Sequence, residues 1–144
     1  MDSLHFFYED TSFLLDNPEP TALWVGAIIK SHQQEAEAIN FIFCSDEYLL
    51  DINRSYLDHD YYTDIITFDN RESEADNLES DIFISIDRIK ENAQELSITF
   101  HRELHRVIIH GILHLLGWND KTDKQKQAMR EKEEACLSLH PNYD

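Results

Sequence analysis

The sequence predicts a single α/β (α+β) domain over residues 1–144, built as a small four-stranded mixed sheet packed with about five helices. Three observations carry this. Four short runs are rich in β-branched and aromatic residues. Five longer runs carry helix caps or helical apolar spacing. The two kinds interleave in a chain whose length suits one domain and which has no internal repeat.

In order, Leu4 to Tyr8 (LHFFY) is short and aromatic, a strand. The breakers Asn17-Pro18-Glu19-Pro20 precede a helix from Ala22 to about Gln34, with Pro20 suited to its first turn. Leu23, Trp24, Ala27 and Ile28 mark its buried face. Ile39 to Cys44 is a buried strand. Ser45 or Asp46 caps the next helix, in which Leu49, Ile52 and Tyr56 share a face. A polar loop, Asp58 to Tyr62, leads to a strand at Ile65 to Phe68. Asp69 to Glu79 is acidic and aperiodic and reads as a mobile loop. Ile82, Ile84 and Ile86 alternate with Phe83 and Ser85 in a fourth strand. Asp87 caps a helix through about Leu96. Thr99 caps a long helix to Leu116, whose Leu104, Val107, Ile108, Ile112 and Leu115 spread around the axis. Most of that helix is therefore buried, near the centre of the domain. Thr122 and Gln125 form a T-x-x-Q capping box for a last helix ending near Leu139, with Ala128, Met129, Ala135, Cys136 and Leu139 toward the core.

A hydrophobic content of 42% is enough for a packed core despite a net charge of -17. Cys44 and Cys136 lie far apart without C-x-x-C spacing and read as buried thiols of a reducing compartment. The N-terminus has no basic region of the signal-peptide kind, and no apolar run approaches the ~20 residues of a membrane span. A cytoplasmic protein without membrane association is expected. The acidity repels phosphate at long range. Five of the 12 basic residues fall between Lys121 and Lys132 and read as decoration of a solvated helix face.

The chemistry concentrates in His110 to Asp120, HGILHLLGWND. Residues four apart on a helix are rotated by ~400°, so His110 and His114 stack on one face and can share a metal ion. Gly117 can end the helix in a left-handed turn and bring Asp120 to the same ion. Two imidazoles and one carboxylate leave a coordination position open, as in a catalytic metal site. His101 and His105 have the same spacing, but they sit ~180° around the helix from His110 and lack a glycine turn. They are expected to be solvated helix residues.

The spacing matches H-E-x-x-H-x-x-G-x-x-H of zinc proteases, with Asp120 in the third-ligand place. Gly111 stands where those enzymes have the glutamate that polarises water, so peptidase activity lacks its base. A metal that acidifies water still suits ester or phosphodiester hydrolysis.

HGILHLLGWND also resembles the H-G-x-L-H-L-x-G-Y-D-H signature of the YbeY family of bacterial endoribonucleases: His110, Gly111, Leu113, His114, Leu115 and Gly117 agree. Trp118 replaces the Tyr, and Asp120 the third His. INRSYLDHDYYTDIITF, Ile52 to Phe68, is similar to the family's L-N-x-x-Y-R-x-x-D-x-P-T-D-V-L-S-F at Asn53, Tyr56, Asp60, Thr63, Asp64 and Phe68. Ser80 to Ser85 is similar to its G-D-I-x-I-S strand. The resemblance implies a single-strand-specific endoribonuclease, with metal-bound water as nucleophile, acting in ribosomal RNA maturation at the small-subunit 3′ end and in ribosome quality control. It implies one zinc per chain, or another divalent ion, on His110, His114 and Asp120, with RNA as partner and the ribosomal small subunit or its proteins as further partners. Leu57 stands where the family has an Arg, and Tyr62 where it has a Pro. Arg54 or His59 is then the candidate to contact RNA in that Arg's stead, while Asn53, Tyr56, Thr63 and Asp64 are candidates to line the cleft. No residue is assigned a catalytic proton transfer. Two other readings stand beside this one: a ribosome-associated assembly factor with a mainly structural metal, and a metallohydrolase of small esters.

Overall fold

A computed structural model of the chain describes residues 3–140. The elements are β1 (Leu4–Glu9), α1 (Pro18–Ser31), β2 (Ala36–Cys44), α2 (Asp46–Leu57), β3 (Ile65–Asp69), β4 (Leu78–Ser85), α3 (Ile86–Leu96), α4 (Phe100–Leu115) and α5 (Asp123–Leu137). The four strands form one mixed sheet in the order β1-β2-β4-β3. β1, β2 and β4 run parallel, and β3 runs antiparallel to β4 at one edge. Parallel neighbours need a long crossover, which α1 supplies between β1 and β2.

The sheet is covered unequally on its two faces. Ile39, Phe41 and Phe43 of β2 and Ile82 and Ile84 of β4 pack with Val25 and Ile28 of α1 and Leu104, Ile108 and Ile112 of α4. A smaller cluster on Cys44, Leu49 and Ile66, flanked by Phe68 and Phe83, sits with α2. These alternating inward positions follow the two-residue period of a strand. α4 therefore runs through the larger core, and ten of its residues are buried.

Most helix starts are set by local caps. Ser45 accepts the Tyr48 N–H, Thr99 accepts the Arg102 N–H, and Thr122 and Gln125 make the reciprocal capping box. The start of α3 corrects the expectation from Asp87. Ser85 is its cap, accepting the Arg88 N–H, and Ile86 opens the helix rather than closing the strand. The supposed loop from Asp69 to Glu79 is also shorter: Asp69 ends β3 opposite Ser80, and Leu78 and Glu79 begin β4.

Buried faces differ from expectation on three helices. On α1 the buried stripe is Thr21, Ala22, Trp24, Val25, Ile28 and Ile29, and Leu23 and Ala27 face outward. On α2, Leu49 is buried but Tyr56 is exposed. On α5 the core positions are Met129, Glu133, Cys136 and Leu137, while Ala128, Ala135 and, just past the helix, Leu139 are exposed. A glutamate fills one slot of that stripe, which is why apolar spacing alone misplaced it. His105 is a further correction. It is buried rather than solvated, because its ring is wedged between Thr21, Trp24 and His140. His101 is exposed and 3.6 Å from Asp16. Cys44 and Cys136 are buried free thiols. Among the described residues no helix is long and apolar enough to cross a membrane.

Candidate metal centre

α4 presents His110 and His114 on one face, one turn apart, with their Nε2 atoms 3.0 Å from each other. The helix then ends in a Schellman motif. Gly117 N–H donates to His114 O and Trp118 N–H donates to Leu113 O, both at 3.0 Å. Gly117 has φ +102°, the left-handed region that favours glycine, so the turn needs this residue. Trp118 anchors the reversal. Its indole N–H donates to Nε2 of His32, the C-cap of α1, at 3.2 Å, and Lys132 lies over its ring.

The returning chain places Asp120 Oδ2 3.5 Å from His110 Nε2 and 3.3 Å from His114 Nε2. The three atoms thus form a triangle with edges of 3.0, 3.5 and 3.3 Å. An ion bonded at ~2.1 Å to three tetrahedral ligands spaces them ~3.4 Å apart, so the donor set and its dimensions fit a zinc-sized ion. Among the described residues this is the one group of three or more His, Cys, Asp or Glu side chains spaced to hold a metal. All three side chains are a fifth to a third exposed or slightly more. Such access fits an open, catalytic site rather than a closed structural one.

His110 is oriented from behind. Its Nδ1 lies 2.6 Å from Oε2 of Glu133, a buried carboxylate on α5. A carboxylate accepts, so Nδ1 carries the proton and Nε2 keeps its lone pair toward the metal position. Glu133 Oε1 accepts from Arg106 Nη1 at 3.1 Å. Arg106 in turn donates twice to Glu103, which is fully buried, at 2.7 Å each. Glu103 and Glu133 together hold the Arg106 guanidinium above its ordinary range. Glu103 also accepts from Asn92 Nδ2, which donates to Asp64 Oδ2 at 3.1 Å. A polar chain buried in part therefore joins Asp64 on one side of the site to His110 on the other. Nothing in the local spacing around Glu133 signals this role. The only sequence hint is an acidic residue in a core slot of α5.

The histidines open into a cleft of about 530 Å³ lined by Thr63, Asp64, Ile65, Thr67, Asp69, His110, His114 and Leu115. One wall is thus β3, an edge strand of the sheet. α4 approaches it closely at Gly111. A Cβ there would lie 2.9 Å from Ile65 Cδ1 and 3.2 Å from Thr67 Oγ1. Position 111 faces the sheet and not the ligands, so the lack of a glutamate there has a packing reason. The Arg71 side chain ties two of the lining residues together, with two bonds to Asp69 and one to the Leu115 carbonyl. That pairing holds the Asp69 carboxyl below its usual range.

Of the six residues expected to contact substrate, Thr63 and Asp64 line this cleft. Asn53, Arg54, Tyr56 and His59 do not. Asn53 is buried, and its Nδ2 donates to the Tyr61 carbonyl at 2.8 Å. It fixes the loop instead of facing the cleft. Arg54 is exposed and bonded to Asp60 at 2.5 Å, and His59 stacks on Tyr61. Tyr56 packs edge-on against Phe68. Leu57, in the place of the family's Arg, is partly exposed and brings no charge.

The family model described as Endoribonuclease YbeY matches residues 16–140. The chain belongs to the YbeY family. Relatives carrying that name include one from Cytophaga hutchinsonii, 54% identical over 96% of both chains. Another, from Karelsulcia muelleri, is 46% identical over 91% of this chain and 92% of its own. The solution structure of TM1509 from Thermotoga maritima superposes with a TM-score of 0.67 at 27% identity, covering 92% of this chain and 87% of that one. The resemblance found at HGILHLLGWND is thus a whole-domain relationship. In this YbeY-family chain the third member of the group that could hold an ion is Asp120, and a carboxylate oxygen is a competent hard ligand.

Proposed function

We propose that this chain is a metal-dependent endoribonuclease that cuts single-stranded RNA during ribosomal RNA maturation. The ion is Zn²⁺, one per chain, held by His110, His114 and Asp120. The single observation that carries the reading is the convergence of three ligand atoms, 3.0–3.5 Å apart, in an open cleft of a YbeY-family fold. Bound there, a divalent ion supplies the Lewis acidity that makes water a nucleophile at neutral pH. The chain's own residues do the rest. Glu133 fixes the tautomer of His110. Asp120 is anionic and offsets part of the ion's charge. Thr67 offers a hydroxyl donor on the β3 wall, and Thr63 and the Asp64 carboxylate line the cleft just before that strand. The Gly111 contact brings that wall against the helix bearing the ligands.

Action at the small-subunit 3′ end, ribosome quality control, association with the small subunit and a cytoplasmic location belong to this proposal as well. The rival with a structural metal is disfavoured by the exposure of all three ligands. The experiment is cleavage of a labelled single-stranded ribosomal RNA fragment by wild type and His114→Ala, with and without chelator. Metal-dependent cutting by wild type alone supports the reading. Equal cutting by both proteins, or cutting indifferent to chelator, overturns it. Turnover of small esters without RNA cleavage would favour the small-ester hydrolase.

A further inference from the structure

The loop that feeds the cleft carries an unusual set of side chains. Tyr56, at the last turn of α2, is 71% exposed, Tyr61 56% and Tyr62 44%, and His59 is exposed beside them. Three large aromatics in water within seven residues need a reason, since each leaves apolar area unburied.

The loop is also pinned. His59 N–H donates to the Asn53 carbonyl at 3.1 Å, and buried Asn53 returns its amide to Tyr61 O. Arg54 is fixed on Asp60. Tyr62 donates to Glu47, with the Arg88 guanidinium 4.9 Å over its ring. His59 and Tyr61 lie nearly parallel, with ring centroids 5.2 Å apart and an interplanar angle of 20°. Their outer faces stay in solvent, and two residues on, Thr63 and Asp64 enter the cleft wall.

We propose that His59 and Tyr61 form a stacking platform for an unpaired base of the RNA strand whose backbone enters the metal cleft. This rests on the endoribonuclease reading and names how that site selects a single strand. Charge argues for bases over phosphates. The chain carries -17, the loop holds Asp58 and Asp60, and the two arginines beside it are already paired, Arg54 with Asp60 and Arg88 with Asp46. A base–aromatic stack needs no cationic surface and is available only to a base that is not paired in a duplex. Because the rings are already held, little side-chain entropy is lost on stacking.

The test is fluorescence anisotropy with a short, nuclease-resistant 2′-O-methyl RNA, single-stranded or annealed to its complement. The proteins are metal-loaded wild type, Tyr61→Ala, Tyr61→Phe and His59→Ala. The expected result is single-strand binding weakened about tenfold in Tyr61→Ala and restored in Tyr61→Phe. The weak duplex binding is the same in all of them, and the dependence on salt is shallow. Wild-type binding to the single strand with no change in Tyr61→Ala or His59→Ala overturns the platform, leaves the endoribonuclease reading standing and assigns the patch to a protein contact. Failure of wild type to bind or cut any RNA overturns both.

Discussion

Nδ1 of His110 lies 2.6 Å from Oε2 of Glu133, across 23 residues of chain and from one helix to the next. That contact makes the metal position depend on α5, which supplies no ligand. Glu133→Gln keeps an oxygen acceptor but loses the charge, and Glu133→Ala loses both. Removing such an outer partner weakens metal binding by about 10–100-fold. Competition with a zinc chelator is expected to rank wild type above Glu133→Gln, and Glu133→Ala last. Equal affinities in all three would mean that the hydrogen bond does not orient the ligand.

Gly117 predicts a coupled loss. Its φ of +102° leaves no comfortable place for a Cβ, although no atom lies within 4 Å of one. The cost is therefore backbone strain rather than a clash. Gly117→Ala is expected to lower stability by about 1–2 kcal/mol. It also shifts the turn that returns Asp120, so zinc affinity falls with it. Urea unfolding and zinc titration of the same variant check both parts.

Gly111 predicts a steric effect instead. Alanine there adds helix propensity, and the nearest atom, Ile65 Cδ1 at 2.9 Å, is the movable end of a side chain. The two effects oppose each other, and the change in stability should stay within about 1 kcal/mol. Leucine has no such escape against β3 and should cost about 1–3 kcal/mol or more. Thermal unfolding of Gly111→Ala and Gly111→Leu separates the two.

His105 predicts a pH dependence. Burial, with His140 beside it, pushes its imidazole down to about 4 from an ordinary value of 6.5. The unfolded chain takes up this proton near 6.5 and the folded chain only near 4. Stability therefore falls as pH drops through that window, by about 3 kcal/mol at its end. Above pH 7 the group has no effect. Urea midpoints of wild type and His105→Gln between pH 7 and 4 should show a shallower decline in the variant.

Much of this molecule is legible in its sequence because the signals are local. The Thr122–Gln125 box, the caps at Ser45 and Thr99 and the glycine after His114 act within a turn or two, and all appear where the spacing puts them. The metal group is legible for the same reason: its three residues span one helix turn and one reversal. What spacing does not reveal depends on distant partners. His105 looks like any helical histidine until α1 lays Thr21 and Trp24 across it. Glu133 looks like a surface glutamate until Arg106 and His110 close on it. Asn53 has a motif position, yet its amide serves the Tyr61 carbonyl and not the cleft.

One metal ion on His110, His114 and Asp120 is expected to enable RNA cleavage. The direct measurement is a titration of metal-stripped protein with Zn²⁺, following cleavage of single-stranded ribosomal RNA at each addition. Activity should be absent at the start, rise to a plateau near one equivalent per chain, and fail to rise in His114→Ala. Full cleavage by the stripped protein, or a rise in His114→Ala that matches wild type, would contradict it.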